Sequence, residues 1–228
     1  MKNQGKKQFR LLSVVLAAVL LLSGLPFVPA QAAPSAYTEN FEGLTGAPAD
    51  WTGMDYYTVA EDPADATNHA LMMNYDGAAN ANQSAKLNLW ASEVKTAQLE
   101  YRIYTKGETT VYPLTMMFPG GGRLVDLALL TNGKLKINGT DDVFAQLSLN
   151  AWHTIKLVAD AEAKTWEMWV DGESVATGAT FVHDKATTVN GLHIKTLKGA
   201  ATGVYYDDIR LLPYVEVEEE SEEGIYYR

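Results

Sequence analysis

The sequence predicts an all-β protein built from two packed antiparallel sheets, and three observations predict it. Short apolar/polar alternations recur along the chain, while long helical periodicities are scarce. Clusters of Gly, Asn, Asp and Pro separate these runs at short spacing, as turns between strands do. No strand-helix-strand rhythm is present, which leaves a two-sheet antiparallel β-sandwich or a barrel.

The early strand-like runs are Tyr56-Tyr57-Thr58-Val59, 69–75 (HALMMNY) and 85–90 (AKLNLW), joined by Asp/Ala/Asn/Gly-rich stretches. In the middle, 98–106, 110–117 and 124–130 read as strands, with turns at Gly107-Glu108 and Pro119-Gly120-Gly121-Gly122. Asn132-Gly133 supplies the positive φ that a tight hairpin needs and leads into Leu135-Lys136-Ile137-Asn138. The clearest hairpin pairs 151–160 with 165–170. Ile155, Leu157 and Ala159 share one face of the first strand; Trp166, Met168 and Val170 share one face of the second, with Glu167 and Trp169 opposite. Asp171-Gly172 then turns the chain into Glu173-Ser174-Val175-Ala176, and runs at 191–196 and 202–212 finish the body.

The two ends differ from the body. Residues 1–32 carry Lys2, Lys6, Lys7 and Arg10, an apolar run from Leu11 to Leu22 and a small-x-small site at Ala30-Gln31-Ala32, which together predict a secretory signal peptide. The sandwich domain is expected over 37–215. The segment 216–228 opens with six Glu in eight positions, too many like charges for a packed strand, and reads as an acidic tail or the start of a linker. The mature chain is then secreted and extracellular, with no membrane partner.

The length of 228 residues fits one domain, and 18 Lys+Arg against 28 Asp+Glu give a net charge of −10. Such a surface repels phosphate backbones, so nucleic acid is not an expected partner. With no Cys there are no disulfides, thiol nucleophiles or thiolate metal sites.

The runs 151–157 (AWHTIKL), 166–172 (WEMWVDG) and 203–211 (GVYYDDIRL) resemble the concanavalin A-like jelly-roll superfamily, in its laminin-G-like and bacterial carbohydrate-associated branches. Asn40-Phe41-Glu42-Gly43 resembles the first strand of such modules, so the resemblance spans roughly 37 to 213. It implies the fold but not the activity, since lectins, binding modules, hydrolases, lyases and adhesion domains share the scaffold. It also implies a structural calcium ion joining the first and last strands, with Glu42 and Asp208 as ligands; Asp208 is preferred because Asp207 alternates onto the face of Ile209.

Catalytic motifs are missing. There is no G-x-S-x-G, H-E-x-x-H or phosphate loop, and the four histidines, His69, His153, His183 and His193, are scattered. The E-x-D-x-E strand of the superfamily's hydrolases and the R-x-E-x-R pattern of its alginate-type lyases are both absent. Glu100, Arg102, Tyr104 and Lys106 do share one face of a central strand, which suits either a lyase acting on an acidic sugar or an ordinary solvent face. Binding asks less, because an aromatic platform beside polar groups holds a pyranose ring. Trp169, Tyr104, Arg102, Trp90, Tyr112 and His193 are the candidate ligand-binding residues, with Trp169 and Trp90 open to either core or platform roles and Trp152 and Trp166 read as structural. The expectation is a secreted, non-catalytic polysaccharide-binding module; a structural or adhesion domain, or a polysaccharide lyase or glycoside hydrolase, are the alternatives.

Overall fold

The computed structural model describes residues 34–77, 81–90, 94–181, 185–197, 199 and 201–213. The expected signal peptide, the acidic segment 216–228 and His183 lie outside the described residues. The chain divides into two units, Met1–Ala33 and Pro34–Arg228, and the fold below is that of the second.

The strands are β1 (Tyr37–Glu39), β2 (Tyr57–Glu61), β3 (His69–Tyr75), β4 (Ser84–Asn88), β5 (Thr96–Thr105), β6 (Val111–Phe118), β7 (Gly122–Arg123) and β8 (Leu127–Leu129). They continue as β9 (Lys134–Ile137), β10 (Val143–Gln146), β11 (Trp152–Asp160), β12 (Thr165–Val170), β13 (Glu173–Thr180), β14 (Gly191–Thr196) and β15 (Ala201–Pro213), with no helix among the described residues. The protein is a two-sheet antiparallel β-sandwich. An eight-stranded sheet runs β13-β12-β11-β5-β15-β3-β2 with β1 added beside β15. A seven-stranded sheet runs β10-β9-β8-β6-β14-β4 with β7 beside β6.

Period-two alternation places the core between the sheets. Ala97, Leu99, Tyr101 and Ile103 of β5, Ile155, Leu157 and Ala159 of β11, and Trp166, Met168 and Val170 of β12 line the inner face of the larger sheet. Leu114 and Met116 of β6, Leu192 and Ile194 of β14, and Ala85 and Leu87 of β4 face them from the smaller one. The Trp-His strand and the Asp-Gly turn are physically joined: Asp171 accepts from the Thr154 amide at 2.8 Å and lies 2.6 Å from His153 Nδ1. Asp171 and Gly172 hold φ of 51° and 84°, the positive values that the turn signal predicts.

Four local readings change. The opening strand is Tyr37–Glu39; Asn40 to Gly43 form a turn instead, with φ of 60° at Phe41 and 76° at Gly43. The run 124–130 is broken, because Leu124 to Asp126 leave the ladder between β7 and β8. Strand β10 was not expected. In β15 a bulge between Asp207 and Arg210, with φ of 49° at Asp208, resets the alternation. Asp207 therefore pairs with Arg102 on the outer face while Ile209 enters the core, and the two do not share a face.

Candidate functional site

Each sheet has an outer face, and the candidate ligand residues divide between them. On the eight-stranded sheet, Glu100, Arg102 and Tyr104 point outward from β5, as their alternation predicts, and meet Lys156, Thr154 and Trp152 of β11. Tyr104 does not form an open platform. It is 7% exposed, packed edge-on against Tyr205 with centroids 5.8 Å apart and tilted against Trp152 at 5.6 Å. Arg102 stacks over the Trp152 ring at 4.6 Å and lies 3.4 Å from Asp208 and 3.7 Å from Asp207. Trp152 donates from Nε1 to Asp62 at 2.9 Å, and Asn68 Nδ2 donates to both Asp62 and Asp207.

Electrostatics agree with a closed network. Burial pushes the Asp62 carboxyl up, but hydrogen bonds from Ala64, Trp152, Asn68 and Asp65 outweigh it and hold the group below the usual carboxylate range. Burial wins at Asp207 and pushes its carboxyl up. Trp169, half-buried on the same outer face, is covered by the Lys156 ammonium 4.2 Å above its ring.

Of the two tryptophans left open, Trp90 belongs to the core. It is 7% exposed beyond the end of β4, with Nε1 donating to the Ser35 carbonyl at 2.9 Å. Trp166 is fully buried, and its Nε1 donates to the Thr180 carbonyl.

The outer face of the seven-stranded sheet is different in character. Register sets Lys86 of β4, His193 of β14 and Thr115 of β6 in one row across three strands, with Lys195 and Tyr112 paired in the next. Leu192 and Ile194 go to the core, so His193 and Lys195 face outward, as the sequence alternation predicts. The Tyr112 ring carries the Lys195 ammonium at 5.0 Å and the Arg123 guanidinium at 5.7 Å. Arg123 is itself buried and fixed: it donates to the Tyr112 and Pro113 carbonyls and its Nε lies 3.2 Å from Asp126.

His193 is the unusual group. It is 6% exposed, and neither Nδ1 nor Nε2 has a hydrogen-bond partner; the Thr115 hydroxyl opposite it has none either. Burial, then the charges of Arg123, Lys86 and Lys195, push the imidazole pKa down to about 3, so the ring is neutral at pH 7. The backbone of Gly121 lies beside the ring and acts weakly the other way without closing a hydrogen bond. Buried polar atoms in native proteins are almost always paired, which sets this imidazole, with both nitrogens unpaired, apart from the other described histidines. Arg123, Lys86 and Thr115 were missed in the sequence. The register of Lys86 with His193 is a long-range fact, although the shared face of His193 and Lys195 was readable.

The calcium expectation concerns Glu42 and Asp208. Glu42 accepts from the His69 amide at 2.7 Å, and Asp208 faces Arg102. Among the described residues no group of three or more His, Asp or Glu converges to hold a metal ion. The two carboxylates alone make no cage, and a calcium ion there would draw on backbone carbonyls as well.

Comparison with known proteins returns structures rather than sequences. No protein-family model matches the chain, and no curated protein matches it. A solved sialidase superposes with a TM-score of 0.61 at 10% identity, covering 79% of this chain and 18% of the sialidase. The likeness is one of fold. A mutant of alginate lyase Aly36B in complex with alginate trisaccharide gives 0.54 at 11% identity, covering 81% of this chain and 100% of that one. Another Aly36B mutant, with alginate tetrasaccharide, gives 0.53 at 11% identity over 80% and 98%. The matched part of this chain thus spans the whole of the lyase but less than a fifth of the sialidase.

Proposed function

We propose that this chain is an exported carbohydrate-binding sandwich that takes a carboxylated polysaccharide on the outer face of its seven-stranded sheet. The observation that carries the reading is the row of Lys86, His193 and Thr115 beside Lys195 and Tyr112, a cationic face with an unpartnered imidazole on a chain of net charge −10. A local cation cluster on an acidic protein draws an anionic polymer to one place and orients it. The lysines pair with carboxylates, the Tyr112 ring offers an apolar surface to a sugar face, and His193 and Thr115 accept and donate to hydroxyls. The likeness in fold to a sialidase and to an alginate lyase in complex with alginate trisaccharide is compatible with this reading. Arg102, Tyr104 and Trp169, on the opposite outer face, play no part in it.

A second reading, a polysaccharide lyase, is favoured by one observation: the imidazole is neutral at pH 7 while cations surround it. A neutral base beside groups that neutralise a substrate carboxylate suits removal of the proton α to that carboxylate. Calorimetric titration of the full chain with carboxylated and neutral polysaccharides tests the first reading, and ultraviolet absorbance of unsaturated chain ends in the same mixtures tests the second. Binding of the carboxylated polymers alone is the expected result; equal affinity for neutral polymers contradicts the assignment of the lysines.

A further inference from the structure

We propose that the Pro119-Gly120-Gly121-Gly122 tip of the β6–β7 hairpin is a gate that closes over His193 and must lift to admit anything to the imidazole. The argument starts from strand order. β4 is two strands away from β6, with β14 between them. Yet Gly121, at the tip of the hairpin that β6 begins, sits against Lys86 of β4: a Cβ built on it would lie 2.5 Å from Lys86 Nζ. The end of the Lys86 side chain and the Gly121 backbone therefore meet over the outer face of β14 beside His193, which is in register with Lys86 and feels the Gly121 backbone directly. This explains how a side chain on an outer sheet face is only 6% exposed.

The glycines fit a closing device. The turn is tight, with the Gly121 amide donating to the Phe118 carbonyl at 2.9 Å. Gly120 and Gly121 hold φ of 94° and 78°, in the left-handed region that side chains disfavour. A Cβ on Gly122 would run into the Phe118 ring. Each of the three positions thus needs glycine for the closed shape, two for φ and one for space.

Closure is also poorly rewarded. The closed tip leaves both His193 nitrogens and the Thr115 hydroxyl without partners. Lifting it returns them to water, so the desolvation cost of the closed state favours opening. The gate concerns access to His193 and stands on geometry; that the entering group is a glycan rests on the function proposed above.

The test is acylation of histidines by diethyl pyrocarbonate on the full chain, read residue by residue by mass spectrometry. His69, with 42% of its side chain exposed, is the internal reference. In the unmodified chain His193 reacts about tenfold or more slower than His69, and Gly121→Ala, which strains the closed turn at its φ of 78°, brings His193 to within about threefold of His69. Amide hydrogen exchange of the unmodified chain is the second measurement and does not depend on how the variant folds. Gly121 exchanges through a local opening that low denaturant does not accelerate. Continued protection of His193 in a Gly121→Ala chain that melts like the parent overturns the gate, as does a Gly121 amide that exchanges only on global unfolding. A carboxylated polysaccharide is added in a separate arm: failure to slow His193 acylation there removes the glycan reading and leaves the gate standing.

Discussion

His193 stands directly opposite Lys86 across the β4–β14 pair, an uncharged imidazole facing a cation with no hydrogen-bond partner of its own. Burial and the neighbouring cations disfavour the charged form of the ring, so the imidazole stays neutral beside them.

The first prediction concerns stability and pH. The folded imidazole titrates at about 3 and the unfolded one at 6.5, chiefly because burial disfavours its charged form. Between those values the unfolded chain holds more protons. Stability contributed at His193 is therefore complete above about pH 6.5 and is lost as pH falls towards 3, by up to about 1.4 kcal/mol per pH unit. His193→Gln lacks this dependence, so Tm measured from pH 7 to pH 4.5 falls less steeply in the variant than in the parent. Parallel slopes contradict the buried neutral imidazole.

Charge removal separates the two outer faces. Lys86→Ala and Lys195→Ala each weaken binding of a carboxylated polysaccharide about tenfold, about 1.4 kcal/mol, and reduce its salt dependence. Lys156→Ala, which uncovers Trp169 on the other face, leaves affinity unchanged. Calorimetry on the three variants decides, and a loss confined to Lys156→Ala would move the site to the eight-stranded sheet.

A third contrast lies in the tryptophans. Trp166 is fully buried and packs edge-on against Phe144 with centroids 5.4 Å apart, so Trp166→Ala costs about 3–5 kcal/mol. Trp169 is half-buried under Lys156, so Trp169→Ala costs on the order of 1 kcal/mol. Urea unfolding of both variants measures the difference, and a larger loss at Trp169 inverts the faces of β12.

Calcium remains the proposal that the resemblance makes about the chain ends. Bound by the native state alone, the ion raises Tm, so EDTA lowers it and elemental analysis finds one calcium per chain. An unchanged Tm with no bound metal removes the proposal. His69 and Arg102 are the partners that calcium must displace from Glu42 and Asp208.

The fold was legible because alternation is local. Ile155, Leu157 and Ala159 name their own face, and the Asp171-Gly172 turn names its own φ. The bulge at Asp208 was not legible, since it is a shift in the pairing with β5, at the point where the other neighbour of β15 changes from β3 to β1. The same limit applies to the site. His193 and Lys195 are two apart in one strand and so share a face. Lys86, Thr115 and Gly121 join them only through a register between strands that are distant in sequence. The alternation of β5 turns Tyr104 outward, but the rings of Trp152 and Tyr205 that bury it come from β11 and β15. An outward position is therefore not an exposed one.

The most direct measurement is an NMR-monitored pH titration of the His193 imidazole in the full chain, with and without a carboxylated oligosaccharide. Free protein should show a neutral ring with a pKa of about 3, held down by burial and by Arg123, Lys86 and Lys195. Bound carboxylate offsets those charges, so the complex titrates at higher pH, and by linkage affinity increases as pH falls. A His193 that titrates near 6.5 in the free protein, or one whose pKa is unmoved by a bound oligosaccharide, would contradict the assignment of the site.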